Sequence, residues 1–338
     1  MSDHEQNAAA ISSPEQANQE HIAQASAIAN RMRIEIGKAL IGQEQVVEQI
    51  LIALFAAGHV LIEGVPGLGK TLLVRALAKT FEGNFARIQF TPDLMPSDVT
   101  GHAMYDLKSE QFRIRKGPVF TNLLLADEIN RAPAKTQAAL LEVMQEYQVT
   151  IEGQPLSLSM PFMTLATQNP LEQEGTYPLP EAQLDRFLLK ILIDYPSEQE
   201  EKSLVASVTT GQVGDTLNVE AVNTVVKAAS IVKVQQIVAS MRVDERVNDY
   251  AVRITRKTRE WPGIAIGAGP RGGIALVRAA RAKALFSGRD FVTPDDVKAV
   301  AIPALRHRIS ISPELEMEGH KSDDILTALL EKVEAPRK

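Results

Sequence analysis

The chain has 338 residues, a formal net charge of −6 at pH 7 and no cysteine, and 45% of its residues are hydrophobic. These values are typical of a globular protein with one large or two smaller domains, and they exclude disulfides, thiolate metal sites and cysteine nucleophiles. The acidic balance and the 5% aromatic content argue against general nucleic-acid binding. The sequence shows neither a signal-like start nor an apolar run that could span a bilayer, so we expect a cytoplasmic protein without membrane insertion.

The first two thirds of the chain alternate between strand-like and helical patterns. Residues 1–24 are rich in Ala, Gln, Glu, Asn and Ser, so we expect a flexible tail. A helical pattern begins near Ser26, and a second begins after Ile41-Gly42-Gln43-Glu44. Alternating strands and helices predict an α/β core with a doubly wound, parallel, five-stranded sheet. The strands are expected at 59–63, 86–90, 122–126, 162–167 and 187–193.

Two segments interrupt this alternation, and the last third of the chain is helical. Residues 101–118 are irregular in pattern, whereas the apolar alternation around Gly153-Gln154 predicts a hairpin. Ser197 and Glu200 form a predicted capping box for a new helix, and Thr293-Pro294 marks another helix start. The sequence therefore predicts an α/β core at 25–196 and a C-terminal, all-helical lid domain at 197–338.

One glycine-rich run fits the phosphate-binding template G-x-x-x-x-G-K-[ST] at every fixed position, between a predicted strand and a predicted helix. In such a loop, backbone N–H groups surround phosphate oxygens, the helix N-terminus and Lys70 add positive charge, and Thr71 offers a hydroxyl to Mg²⁺. We predict a nucleoside triphosphate site here, the alternative being an ordinary glycine-rich turn. Its expected contact residues are Gly64, Val65, Pro66, Gly67, Leu68, Gly69, Lys70, Thr71 and Leu72.

Two carboxylates follow the apolar strand Leu123 to Ala126, at the sheet edge where parallel strands place their ligands. We expect Asp127 to hold Mg²⁺ through water and Glu128 to polarise the attacking water. The alternative is that the pair caps the helix that begins near Ala134.

Three further polar residues are candidates for the hydrolytic site. Asn169 ends another buried strand and is expected to contact the γ-phosphate and the water, although an Asn before Pro170 is also typical of a turn. Arg186 precedes the last strand and is a candidate arginine finger that acts on a neighbouring subunit, or a helix-end arginine. Arg271 begins a helix of the second domain and is a candidate γ-phosphate sensor, or a solvated surface residue.

The second domain carries a local excess of positive charge. Residues 241–310 contain 14 Lys and Arg against 7 Asp and Glu, and Arg253, Arg256, Lys257 and Arg259 are close together in sequence. We interpret this stretch as a solvated helix face or a subunit interface rather than a nucleic-acid site.

Taken together, these motifs resemble the AAA+ ATPases and, among them, the MoxR family. The resemblance covers about residues 30–310, and the strings 89–101 and 127–133 are the most specific to this family. The other matching strings are Ile41-Gly42-Gln43, the glycine-rich loop, 117–120, 166–170 and 184–187. Gly269 stands where many members have a serine before Pro270-Arg271, and Gly272-Gly273 follow. The missing hydroxyl cap and the two glycines in the first turn together weaken that helix start by about 1–2 kcal/mol.

The resemblance implies a homo-oligomeric, hexameric ring with ATP and Mg²⁺ bound between subunits. It implies the Walker A pair Lys70 and Thr71, the Walker B pair Asp127 and Glu128, sensor 1 at Asn169, a finger at Arg186 and sensor 2 at Arg271. It also places Gly42 and Gln43 in nucleotide binding and leaves open whether Arg131 shares the role of Arg186. Insertions are implied at about 98–117 and 148–160, where related proteins act on clients.

MoxR-like proteins are thought to be chaperone-like motors that mature metalloenzymes or protein complexes, often with a von Willebrand factor A domain protein. We therefore expect an ATPase that acts on a protein client. A nucleotide-bound scaffold without turnover and a DNA-acting AAA+ protein are the alternatives. A GTPase is disfavoured by the lack of a guanine-reading N-K-x-D, and a small-molecule kinase would not need this set of residues.

Overall fold

The computed structural model describes residues 14–64, 67–108, 110–169, 176–209 and 219–336. Val65 and Pro66 of the glycine-rich loop and residues 1–13 of the expected tail lie outside these ranges. The helices are α1 (Pro14–Gly37), α2 (Glu44–Phe55), α3 (Lys70–Thr80), α4 (Pro96–Thr100), α5 (Ala134–Glu146), α6 (Glu181–Leu184), α7 (Glu198–Thr209), α8 (Ala228–Ser240), α9 (Glu245–Lys257), α10 (Pro270–Phe286), α11 (Pro294–Leu305), α12 (Pro313–Met317) and α13 (Ser322–Lys332). The strands are β1 (Val60–Gly64), β2 (Phe85–Gln89), β3 (Gly101–Asp106), β4 (Gln111–Lys116), β5 (Leu123–Asp127), β6 (Gln148–Ile151), β7 (Gln154–Ser157), β8 (Met163–Gln168), β9 (Leu189–Ile193), β10 (Ile264–Ile266) and β11 (Ser310–Ile311).

The main sheet has five parallel strands in the order β2-β5-β8-β1-β9, which confirms the predicted fold class. All five strands begin within two residues of their predicted positions, because continuous apolar runs are typical of strands buried on both faces. The register pairs Gln89 with Asp127, and Ala126 with Ala166. The ends of β2, β5 and β8 therefore meet at one edge, where the polar residues follow the apolar runs.

Helix α1 begins at Pro14, so the expected flexible tail is wrong for residues 14–24. Ile22 and Ala25 are 3% and 1% exposed and belong to the same core cluster as Met32 and Ile36. The signal was missed because small alanines occupy much of the buried face, which gives a weak hydrophobic pattern although it allows close helix packing.

Two antiparallel hairpins project from the core. The hairpin β6–β7 is the one predicted around Gly153-Gln154. The segment expected to be irregular forms a second regular hairpin, β3–β4, in which Tyr105 pairs with Phe112 and Ala103 with Ile114. The pattern was uninformative because most of its residues are exposed and no face is continuously apolar.

The second domain is helical, as predicted, and contains one pair of short strands, β10 and β11. The predicted capping box of Ser197 with Glu200 precedes α7, and Thr293 forms a capping box with Asp296 at the predicted start of α11. In the described part of the chain, no helix combines the length and the apolar character needed to cross a membrane.

Candidate functional site

The glycine-rich loop leads from β1 into α3 with the geometry that a phosphate site requires. Gly67 and Gly69 have φ angles of +86° and +75°, which residues with a side chain adopt only with strain. Helix α3 begins at Lys70, so its unpaired N–H groups point into the loop. The Lys70 ammonium donates a hydrogen bond to the Gly64 carbonyl at 2.6 Å, which holds the charge within the loop.

A cavity of about 290 Å³ lies at this edge of the sheet, and we call it the phosphate cavity. It brings together the loop, the two predicted carboxylates and the predicted sensor asparagine, which come from three separate stretches of chain. It is lined by Gly67, Gly69, Lys70, Thr71, Arg87, Gln89, Asp127, Glu128, Thr167 and Asn169.

Asp127, at the end of β5, is held from both sides by its neighbouring strands. The Thr167 hydroxyl donates to its Oδ1 at 2.6 Å, and Arg87 donates to its Oδ2 from Nη2 at 2.6 Å and from Nε at 3.2 Å. Arg87 also donates from Nη2 to Gln89 Oε1 at 3.0 Å. A single polar chain therefore runs from Asp127 across the edge strand β2.

Glu128 is fixed in an unusual backbone conformation, with a φ of +55°. Such a conformation is uncommon for residues other than glycine and is enriched at functional sites. Gln89 Nε2 and Arg131 Nη1 both donate to Glu128 Oε2, at 2.7 and 3.0 Å. The Glu128 backbone N–H donates to the Thr167 hydroxyl at 2.8 Å. Neither carboxylate caps α5, which begins after Pro133 without a side-chain cap.

The environment of Lys70 combines burial with negative charge. Burial lowers the pKa of its ammonium group, while Asp127, Glu128 and Glu63 oppose that shift. A partly dehydrated ammonium group interacts more strongly with an added anion than a solvated one does. Lys70 is therefore suited to bind a phosphate group.

The oxygen ligands at this edge fit Mg²⁺. Thr71 offers a hydroxyl and Asp127 a carboxylate, both hard donors of the kind this ion prefers. Within the described ranges, no group of three or more Asp, Glu or His side chains converges to hold a metal ion. A magnesium ion would thus depend on phosphate oxygens and water for the rest of its shell, as is usual at nucleotide sites.

Gln43 contacts the glycine-rich loop, whereas Gly42, also expected near the nucleotide, packs against Glu200. Gln43 Nε2 donates to the Leu68 carbonyl at 3.1 Å, and its buried Oε1 has no hydrogen-bond partner among the described residues. Gly42 has a φ of +75°, and a Cβ there would lie 2.5 Å from Glu200 Cδ. The Leu72 side chain is buried in the core, so only its backbone N–H at the start of α3 remains for a nucleotide contact.

Arg186 and Arg271 lie together in a different cavity of about 310 Å³, which we call the arginine cavity. Its lining includes Asp185, Arg186, Arg271, Arg278 and Arg308, so four cations accompany one carboxylate. Neither Arg186 nor Arg271 lines the phosphate cavity. Arg271 Nε lies 3.8 Å from Asp185 Oδ2, and the role of Arg271 as a γ-phosphate sensor stays a prediction.

Two residues at the end of α11 hold the segment that carries Arg186. Arg308, whose side chain is 3% exposed, donates to Asp185 Oδ1 at 2.7 Å and to the Phe187 carbonyl at 2.7 Å. His307 Nε2 lies 3.0 Å from the same carbonyl. Burial and the charge of Arg308 hold the pKa of His307 well below its usual range, so the ring is neutral and Nε2–H donates. The lid therefore fixes the backbone on both sides of Arg186.

Sequence reasoning missed Arg87, Gln89, Thr167 and Arg308 as members of the two cavities. The first three act across strands, so their contacts depend on a register that hydrophobic patterns do not specify. Arg308 is 123 positions from Asp185. The sequence offered only a weak signal for these residues. Besides the two carboxylates, other polar residues stand at the carboxyl ends of the strands.

Comparisons with known proteins agree with this geometry. The profile of the ATPase family associated with various cellular activities (AAA) matches residues 59–189, and the AAA lid domain profile matches residues 256–329. The uncharacterized protein YeaC of Bacillus subtilis is 46% identical over 301 residues, which cover 89% of this chain and 92% of that protein. Chaperone MoxR1 of Mycobacterium tuberculosis is 42% identical over 320 residues, covering 91% and 82%. The crystal structure of a candidate ATPase from Cytophaga hutchinsonii has a TM-score of 0.87 and 41% identity, covering 96% and 99%.

Proposed function

Because the chain belongs to the MoxR family of AAA+ ATPases, we propose that it binds and hydrolyses ATP with Mg²⁺ in a ring of identical subunits. The observation that carries this proposal is the separation of two complementary cavities on one chain. The phosphate cavity holds the loop, the carboxylates and Asn169, and the arginine cavity holds Arg186 and Arg271. Neither Arg186 nor Arg271 lines the phosphate cavity, and neither the loop nor the two carboxylates line the arginine cavity.

The residues of the phosphate cavity have distinct roles in this proposal. The loop N–H groups and Lys70 bind the phosphate chain, and Thr71 and Asp127 would hold a Mg²⁺ ion, which would neutralise charge on the phosphate oxygens. Glu128 orients a water molecule and accepts its proton as the water attacks the γ-phosphorus, while the bond from that phosphorus to the bridging oxygen breaks and ADP leaves with this oxygen. Asn169 positions that water and the γ-phosphate from the neighbouring strand.

The arginine cavity is proposed to complete the site of the next subunit. Guanidinium groups stabilise the charge that develops on a phosphoryl group in transfer, and they are most effective when they enter from outside the phosphate loop. Arg186 and Arg271 can then both act across the interface, although they do not approach the loop of their own chain. Arg131 is bound to Glu128 in the same chain, which favours Arg186 as the main trans-acting residue.

The ring is proposed to act as a chaperone-like motor on a protein client in the cytoplasm, in the maturation of protein complexes or metalloenzymes. The exposed hairpin β3–β4 supports a client-binding role, since Tyr105 and Phe112 are 50% and 74% exposed and pack edge to face with ring centroids 5.3 Å apart. A von Willebrand factor A domain protein is the proposed partner, on the family resemblance alone.

The concentration dependence of ATP hydrolysis tests this function. If two subunits build each site, turnover per subunit should rise with protein concentration and reach a plateau as rings form, while nucleotide binding per subunit stays constant. Turnover that is constant per subunit down to concentrations at which sedimentation shows only monomers would contradict it.

A further inference from the structure

The groove between α9 and α10 combines an apolar floor with clustered positive charge. We infer that this lid groove receives helix α7 of the neighbouring copy, an inference that rests on the proposed ring. The inference concerns assembly rather than hydrolysis, since neither α7 nor the groove belongs to the catalytic residues named above.

The lid groove has a volume of about 570 Å³ and an exposed apolar floor. Val252 on α9 and Ile274 on α10 are 49% and 58% exposed, and Val277 continues the floor along α10. Adjacent apolar residues that remain this exposed on two packed helices are typical of a protein contact surface.

Four arginines surround this floor, and no carboxylate is among the lining residues that the structure describes. Arg278 donates to the carbonyls of Ala56 and Ala57, and Arg259 donates to that of Ala268, while Arg281 Nε is buried without a partner in the described ranges. None of these arginines, nor Arg256, forms an ion pair within those ranges. The groove therefore favours an occupant with carboxylates beside apolar side chains.

Helix α7 presents that combination on one face. Glu201 is three and four positions before Leu204 and Val205, so these side chains lie on the same face of the helix. Leu204 and Val205 are 37% and 56% exposed. Glu198 adds a second carboxylate to that face, and its ion pair with Lys202 is fully at the surface.

On both surfaces, a charged residue and an exposed apolar residue are separated by the same number of positions. On α9, Val252 and Arg256 are four residues apart, and on α7, Glu201 and Val205 are also four residues apart. Each pair spans about one helical turn, or ~5.4–6 Å. When α7 lies antiparallel to α9 in the groove, Glu201 reaches Arg256 while Val205 packs on Val252 and Ile274.

Both surfaces also lie next to the two halves of the proposed composite site. The first turn of α7 carries Glu200, which packs on Gly42 beside the nucleotide loop. The lid groove shares Ile274 and Arg278 with the arginine cavity. If the arginine cavity of one copy faces the phosphate cavity of the next, α7 and the lid groove are brought to the same interface.

The absence of cysteine in the chain permits a direct cross-linking test. In a Glu128→Gln background with ATP and Mg²⁺, Val205→Cys protein is mixed with Ile274→Cys protein and oxidised. We expect disulfide-linked dimers from the mixture, and few from either variant alone. Ser203→Cys, on the opposite face of α7, replaces Val205→Cys as the matched control and should give few dimers with Ile274→Cys.

Charge reversal provides an independent test, in which sedimentation measures the protein concentration at which half of the subunits are assembled. Glu201→Lys and Arg256→Glu should each raise the concentration at half-assembly by about 5-fold, and the double variant should return to within about 2-fold of the parent. Rings that form normally in both single variants and give no cross-link would overturn the docking but leave the ring. A parent that remains monomeric with ATP at every concentration would overturn both, and sedimentation of the same samples separates the two results.

Discussion

The phosphate cavity and the arginine cavity differ in how their charges are balanced. In the phosphate cavity, each carboxylate is bound by donors of the same chain, through Arg87, Gln89, Arg131 and Thr167. In the arginine cavity, Asp185 is the one carboxylate among the described lining residues, and four arginines surround it. The carboxylates and the loop of the phosphate cavity are suited to bind a cation together with phosphate groups. The excess of arginines in the arginine cavity favours binding of an anion. This difference is the basis of the proposal that two neighbouring subunits build one hydrolytic site.

The largest expected effect comes from removing the base of the phosphate cavity. Glu128→Gln should lower ATP turnover by about 10²–10⁴-fold, because a general base typically contributes that much to a reaction rate. Nucleotide affinity should remain near that of the parent, since the loop and Lys70 are unchanged. Steady-state hydrolysis and binding of a fluorescent nucleotide measure the two quantities.

Glu142→Gln, on the exposed face of α5, is the matched control for that substitution. It removes a carboxylate of the same type outside both cavities, so turnover should not change. Near-normal turnover of the Glu128→Gln protein would show that another group accepts the proton.

A second substitution separates the arginine cavity from the phosphate cavity. Asp185→Asn leaves the buried Arg308 without its carboxylate, so the free energy of unfolding should fall by about 2 kcal/mol while ATP affinity is kept. Urea denaturation measures the first quantity and nucleotide binding the second. Glu198→Gln removes an exposed ion pair instead, and its unfolding midpoint should not move. Equal effects of the two substitutions would contradict the positioning role of Asp185 and Arg308.

The two cavities also differ in how far the sequence predicted them. The phosphate cavity was largely predictable, because a loop template and strand-end carboxylates are local features and parallel strands bring their ends together. The position of Arg271 was not predictable, since it depends on how the lid packs on the core through Asp185 and Arg308. The start of α1 and the β3–β4 hairpin were missed for another reason: Ala25 is small, Phe112 is exposed, and neither gives a clear hydrophobic pattern.

A smaller effect is expected from the contact that holds Glu128. Gln89→Leu removes the hydrogen bond to Glu128 Oε2 and leaves the carboxylate held by Arg131 alone. We expect the basal hydrolysis rate to rise by about 2–5-fold, which corresponds to the loss of one ordinary hydrogen bond. Gln168→Leu, at the end of β8, is the control and should leave the rate unchanged. A fall in rate for Gln89→Leu would mean that Gln89 positions Glu128 for catalysis rather than restraining it.

The smallest expected effect on hydrolysis comes from the hairpin outside both cavities. The double substitution Tyr105→Ser with Phe112→Ser should leave basal turnover and stability unchanged, because both side chains are exposed. It should reduce the amount of client protein that the Glu128→Gln ring retains with ATP. Met317→Ser, which alters an apolar residue on α12 that is 83% exposed, should retain the client. Equal retention by both variants would remove the hairpin from client binding.

The most direct test of the two-cavity account is complementation between defective subunits. Lys70→Ala damages only the phosphate cavity and Arg186→Ala only the arginine cavity, so each variant alone should be almost inactive. In a 1:1 mixture, random assembly pairs the two intact cavities at one interface in four, and turnover should recover to about a quarter of the parent value. If no mixing ratio recovers turnover although mixed rings form, Arg186 does not act on the neighbouring subunit and the account is wrong.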